Sequence, residues 1–112
     1  MVYKNLGNTG LKVSALCMGT MTFGNEADKA MSKKLYSLCR DKGVNFFDCA
    51  NGYAGGESEK ILGKLIKSHR DEVVIATKGY FPTGKDVNAR GCLLYTSPSP
   101  RDLSTSRMPS SA

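Results

Sequence analysis

Along residues 1–91, apolar and polar positions fall into short blocks whose period changes several times. Val2–Leu6 and Leu11–Val13 are apolar-containing runs on either side of "GNTG". Gly7, Asn8 and Gly10 tolerate positive φ, so this stretch predicts a β-hairpin. "SALCMGTM" (14–21) is nearly continuous apolar sequence, the pattern of a strand buried on both faces of a parallel sheet. Gly19 and Gly24 close that run and open a loop. Asn25 or Asp28 can cap the helix that follows, in which Met31, Leu35, Leu38 and Cys39 recur at i, i+4, i+7 and i+8. Gly43 stands at the expected C′ position, behind a basic last turn with Arg40 and Lys42. "VNFFD" (44–48) reads as the second strand. After a glycine-rich turn, Ser58 is expected to cap a helix whose apolar face is Ile61, Leu62, Leu65 and Ile66. "EVVIATK" (72–78) reads as the third strand.

Strands that alternate with helices, and are apolar throughout, imply a parallel sheet with helical crossovers. An open dinucleotide-binding sheet carries G-x-G-x-x-G after its first strand, and here that turn reads "MGTMTFGNE". Polar groups stand instead at successive strand ends: Asp48 after the second and Lys78 at the third. In a closed barrel those ends share one face, where chemistry sits. The expected fold is therefore α/β, the N-terminal portion of a (β/α)8 TIM barrel preceded by a β-hairpin and truncated after the third barrel strand. A whole barrel takes about 250 residues, whereas this chain has 112.

Composition narrows the partners. At 40% hydrophobic and 23% charged the chain is of ordinary globular type. Its net charge of +6 is spread out, with Lys33–Lys34 the only basic pair. That describes a solvated surface more than a nucleic-acid footprint. Cys17, Cys39, Cys49 and Cys92 form no C-x-x-C pair and no metal-ligand spacing, and with His69 the sole histidine a His/Cys zinc site has almost nothing to work with. Reduced thiols, no signal-peptide pattern and no apolar run near ~18 residues make a cytoplasmic protein the default, with no membrane span.

Composition changes after Gly91. Residues 92–112 hold three of the four prolines and a dense run of serines, without periodicity. "CLLYTSPSPRD" and "SRMPSSA" resemble the in-frame translation of the two ends of a sequencing adapter, with Leu103–Thr105 where a variable index would fall. On that reading residues 1–91 form part of a barrel domain and 92–112 a non-native, unstructured tail.

Asp48, Tyr53 and Lys78 would converge at one strand-end rim. A free phenol, with a pKa near ~10, is a poor proton donor at neutral pH. An adjacent ammonium favours the phenolate, and a carboxylate keeps that ammonium charged and oriented. So arranged, a tyrosine can protonate a carbonyl oxygen as hydride reaches the carbon. Each residue alone also has a plain structural reading, as a strand closer, a loop aromatic and a solvated lysine.

These residues lie in segments that resemble a known family. "LGNTGLKVSALCMGTMTFG", "GVNFFDCANGYAGGESEKILGKLI" and "VVIATK" are similar to the N-terminal third of an aldo-keto reductase, with matched spacing over nearly all of residues 2–91. The resemblance implies a (β/α)8 barrel, plugged at its bottom by the hairpin, that reduces aldehydes and ketones with NADPH. By position, Tyr53 would be the proton donor, with Asp48 and Lys78 tuning it. Gly19, Thr20 and Met21 would line the nicotinamide end of the cofactor, and Asp48 would reach the nicotinamide ribose. The expected partner is a small carbonyl substrate, with no metal. Oligomeric state is left open.

Three departures qualify that expectation. Cys49 stands where the family commonly has Thr. Ala54 follows the tyrosine where Gly is common, and "YAGG" also resembles the cytoplasmic β-subunits of voltage-gated potassium channels, members of the same superfamily that act mainly as channel partners. The family's catalytic histidine follows the next strand; His69 precedes the third strand and is expected to be an exposed loop residue. The 112-residue chain itself is accordingly expected to be inactive, with the catalytic activity belonging to its parent protein.

Overall fold

A computed structural model describes residues 1–89. Strands β1 (Tyr3–Asn5) and β2 (Lys12–Ser14) pair antiparallel, Tyr3 opposite Ser14. Gly7 and Gly10 take φ of 55° and 80° in the connecting turn, where a Cβ would be strained. Strands β3 (Met18–Gly19), β4 (Phe46–Asp48) and β5 (Val74–Ala76) then form a parallel sheet in chain order. Helix α1 (Lys29–Asp41) joins β3 to β4, and α2 (Glu57–Ile66) lies between β4 and β5. The two helices pack on each other, so both crossovers cover the same face of the sheet. Consecutive strands added on one side with helices on one face are the beginning of a singly wound sheet, the arrangement that closes into a barrel. The expected boundary at Gly91 and the expected tail lie outside the described residues.

Helix α1 starts and stops on local chemistry. The Asp28 carboxylate accepts from the Met31 N–H at 2.8 Å, satisfying one of the orphan donors of the first turn. At the other end Gly43 has φ 90°, and the Val44 N–H reaches back to the Cys39 carbonyl at 2.9 Å while Gly43 N–H reaches Arg40. This is a Schellman stop, which needs the left-handed residue that glycine supplies. Tyr3 Oη donates to the Gly43 carbonyl at 2.7 Å. The hairpin is also tied to β4 by Asn45, whose amide accepts from Ser14 N–H at 2.7 Å and donates to the Lys12 carbonyl at 3.1 Å.

The core lies between the sheet and the helices, built from Tyr36, Val44, Phe47, Cys49, Leu62, Ile66 and Val73. Alternation along β4 sends Phe47 and Cys49 into it, while Phe46 and Asp48 go to the opposite face. Phe47 is fully buried and its ring centroid is 4.9 Å from that of Tyr36.

Some expectations need correction. The run "SALCMGTM" is not a strand buried on both faces. Only Met18–Gly19 pair, Leu16 is exposed, and Ser14 Oγ donates to the Leu16 carbonyl at 2.6 Å, bending the chain first. In α1 the inward residues are Ser32 and Tyr36, with Leu35 and Cys39 beside them, whereas Met31 and Leu38 face out. Ser58 is not a cap: Gly56 occupies that position, and Ser58 is buried inside the first turn of α2. The third strand is shorter than "EVVIATK", because Lys67–Glu72 turn tightly before it. His69 within that turn is half-buried, not free: its Nε2 lies 2.6 Å from Tyr36 Oη and its Nδ1 3.0 Å from Ser68 Oγ.

Among the described residues, no helix is long and apolar enough to cross a membrane.

Candidate active site

The β-register builds one rim. Gly19 stands opposite Asp48, and Asp48 opposite Ala76, so three strand ends finish level. Pairing continues past them: Thr20 N–H bonds Asp48 O at 2.9 Å, Cys49 N–H bonds Ala76 O at 2.7 Å, and Asn51 N–H bonds Lys78 O at 3.0 Å. Two residues beyond Ala76, Lys78 projects on the same face as Asp48, the face the helices leave open. Tyr53 arrives from the turn after β4, held by its N–H on the Ala50 carbonyl at 3.2 Å and partly packed against the core.

These three side chains meet. Lys78 Nζ donates to Asp48 Oδ2 at 2.8 Å, to the Cys49 carbonyl at 2.7 Å and to Tyr53 Oη at 3.1 Å. An ammonium has three N–H donors and no acceptor. All three are engaged, so the ammonium is fixed in orientation and the phenolic oxygen receives a hydrogen bond from it. The phenol's own proton is left to point elsewhere. Burial works against the charged form of Lys78, but its hydrogen bonds to Asp48 and Tyr53, and their charges, outweigh this and raise its pKa above the ordinary lysine value. The Cys49 carbonyl is a member of the site that side-chain motifs could not reveal, since any residue at that position offers one.

The remaining candidates divide. Gly19 and Met21 are exposed at the rim. A Cβ added at Gly19 would meet nothing within 4 Å, so the space next to Asp48 is open. Asp48, its side chain about a third exposed at 36%, gives one oxygen to Lys78, and a carboxylate retains capacity for further donors. An exposed acceptor beside an open glycine suits a hydroxyl-bearing ligand. Thr20 differs from its neighbours and departs from the expected ligand contact: the residue is fully buried, its N–H and Oγ1 both donate to the Asp48 carbonyl at 2.9 Å, and its own carbonyl accepts from Ser58 Oγ, so it backs the rim and does not face a ligand. Cys17 lies close enough to sense the site. Burial raises its pKa first, Asp48 raises it further and Lys78 offsets part of this, which keeps the thiol protonated and unreactive. Among the described residues no His, Cys, Asp and Glu cluster of metal-binding kind occurs.

The turn bearing Tyr53 is strained. Ala54 adopts φ 51°, ψ 38°, followed by Gly55 and Gly56 at φ 63° and 100°. The left-handed region costs a non-glycine residue about 1 kcal/mol or more. Replacing Ala54 by glycine relieves that strain, while the looser unfolded chain takes back roughly 0.4–1 kcal/mol. The expected Ala54→Gly result is a small rise in thermal midpoint. A loss above about 1 kcal/mol would show that the methyl packs usefully despite its backbone.

Comparison with known proteins places this chain in a family. The family model for the aldo/keto reductase family matches residues 15–110, a span that runs past Gly91. Two plant proteins, each described as a probable voltage-gated potassium channel subunit beta, are similar over 95 residues. The one from Arabidopsis thaliana is 47% identical, and that from Oryza sativa subsp. japonica 46%. Each alignment covers 81% of this chain but 29% of the relative, so the chain spans under a third of their length. Among solved structures, the holo form of an aldo-keto reductase from Bacillus halodurans superposes with a TM-score of 0.66 at 32% identity, over 77% of this chain and 29% of its own. A putative aldo-keto reductase from Pseudomonas aeruginosa gives 0.64 at 40% identity, over 70% and 31%. With the family model covering most of the sequence and relatives 46–47% identical over 81% of it, the chain belongs to the aldo/keto reductase family.

Proposed function

We propose that these residues form the proton-donating part of an NADPH-dependent reductase that converts aldehydes and ketones to alcohols, the remaining barrel strands being supplied by the full-length protein. The observation that carries this reading is the threefold engagement of Lys78 by Asp48, Cys49 and Tyr53. Tyr53 donates its phenolic proton to the substrate's carbonyl oxygen. Lys78, already hydrogen-bonded to the phenolic oxygen, stabilises the negative charge left there as the proton departs. Asp48 holds Lys78 in place and keeps it charged. Gly19, Met21 and Asp48 would hold the nicotinamide end of the cofactor, with buried Thr20 supporting them from behind. NADPH, when bound, supplies the hydride that reduces the carbonyl carbon. A cytoplasmic location belongs to the same proposal, since Cys17, Cys39 and Cys49 are free thiols and a reducing compartment preserves them.

A second reading has its own support in the 47% identity to a probable potassium channel β-subunit. In it, the barrel serves as a binding subunit whose partner is a voltage-gated channel. One experiment separates the two: the purified full-length protein is mixed with NADPH or NADH and a panel of aldehydes and ketones, and cofactor consumption is followed. Multiple turnovers with NADPH support the reductase. Absent turnover, together with co-purification of a channel's cytoplasmic portion, supports the subunit.

A further inference from the structure

Directly beneath the rim lies a second polar cluster that touches none of the reacting groups. Thr20 and Ser58 are both 0% exposed and Cys49 is 1% exposed. Ser58 Oγ donates to the Thr20 carbonyl at 2.7 Å and lies 3.0 Å from Thr20 Oγ1. Thr20 in turn directs two donors at one acceptor: its N–H and its hydroxyl each reach the Asp48 carbonyl at 2.9 Å. Cys49 Sγ sits 3.4 Å from Ser58 Oγ. Each hydroxyl proton is used once, so the cluster is a directed chain from α2, through the loop after β3, to the end of β4. The loop is pressed onto α2 at Gly24 as well, where a Cβ would stand 2.8 Å from that of Glu57.

The target of this chain is the backbone at two successive carbonyls. Asp48 O receives the two Thr20 donors, and the next carbonyl, Cys49 O, receives Lys78 Nζ at 2.7 Å. Two of the three acceptors that fix Lys78 are therefore carried by residues 48 and 49, whose backbone is gripped from below. A buried hydroxyl is stabilising when satisfied but costs about 1–3 kcal/mol of desolvation if its partner is removed. Ordinary packing at this point could have used an alanine or valine. The hydroxyls are placed instead where they can set the height and tilt of the Asp48–Cys49 peptide.

We propose that Ser58 and Thr20 are positioning residues, whose buried hydroxyls fix the backbone at Asp48 so that the Asp48 carboxylate and the following Cys49 carbonyl hold Lys78 against Tyr53. This rests on the reading of Tyr53 and Lys78 as a proton-donating pair, but its test does not depend on turnover. In the full-length protein, Thr20→Val keeps the side-chain shape and removes one hydroxyl. Ser58→Ala removes the other, and Thr20→Ser restores the first without its methyl. Lys78 is followed by NMR of its side-chain Cε and Nζ against pH, alongside kcat, KM and thermal unfolding. In Thr20→Val and Ser58→Ala the Lys78 titration is expected to move down toward that of an ordinary lysine, kcat to fall about tenfold and KM for NADPH to hold. Thr20→Ser is expected to recover the wild-type titration.

Variants that unfold at lower temperature, yet titrate Lys78 as wild type does, would overturn the proposal and leave the hydroxyls a purely structural role. Should the wild-type protein reduce no carbonyl, the functional reading fails on its own, and the Lys78 titration still decides the positioning role. Should Ser58→Ala not fold, the near-isosteric Thr20→Val against Thr20→Ser decides the same question.

Discussion

Tyr53→Phe in the full-length protein is expected to lower kcat for carbonyl reduction by roughly 10²- to 10⁴-fold, the usual worth of a positioned proton donor. The ring is retained, so its packing against the core and the turn at Ala54 and Gly55 are kept. What is lost is the phenolic proton, and Lys78 cannot replace it, because every N–H of Lys78 is already committed. Cofactor affinity should change little. A variant retaining a third or more of the wild-type rate would rule the phenol out as donor.

The pH profile gives a companion test. The pKa of Lys78 is raised, so its ammonium is present at all pH values below its ordinary pKa of about 10.4 and is lost only as pH climbs through the higher folded value. Its contribution to stability has the same window: complete below the unfolded pKa, removed above the folded one. The wild-type profile should show no lysine limb near neutrality. Asp48→Asn removes the principal charge partner and should draw that limb downward.

Phe47→Ala is expected to destabilise the full-length protein by about 3–5 kcal/mol, measured by urea or thermal unfolding. Phe47 is 0% exposed, sits on the central strand and packs on Tyr36 at 4.9 Å between centroids. Its removal leaves a void that its core neighbours cannot all move to fill, since Leu62 and Ile66 are held in α2 and Val44 and Val73 lead directly into β4 and β5. Against a typical total of 5–15 kcal/mol, that is a large share. Phe46→Ala, one residue earlier and half-buried on the opposite face, should cost clearly less. Equal effects would contradict the assignment of faces.

Features governed by near neighbours were legible in the sequence. Asp28 caps a turn three residues away, and Gly43 stops a helix whose carbonyls lie three to five residues back. The meeting of Asp48, Tyr53 and Lys78 was legible for a related reason: parallel register brings consecutive strand ends level, and side-chain parity then selects the face. Errors arose where a partner is remote. Ser58 read as a cap because its position resembles one, but its hydroxyl bonds to Thr20, 38 residues away. His69 read as a loop residue, yet its partner Tyr36 is 33 residues distant. In α1 the apolar spacing pointed to Met31 and Leu38. The inward positions went to a tyrosine with a hydroxyl to satisfy and to Ser32, whose Oγ donates to the Ala27 carbonyl. Hydrophobic periodicity weighs neither a buried polar bond nor a small residue that permits close approach.

The division of β4 into a Phe47 face and an Asp48 face has a consequence for how sequence change is tolerated there. Because side chains alternate with a period of two, deleting or inserting one residue between Val44 and Phe46 would rotate the strand by half its repeat. The aromatic would then swing into the open rim and the carboxylate into the apolar layer, where an unpaired charge is costly. No intermediate register exists in which one face is kept and the other lost. Packing and chemistry on this strand therefore share one reading frame, and a single-residue indel just before β4 should abolish both together.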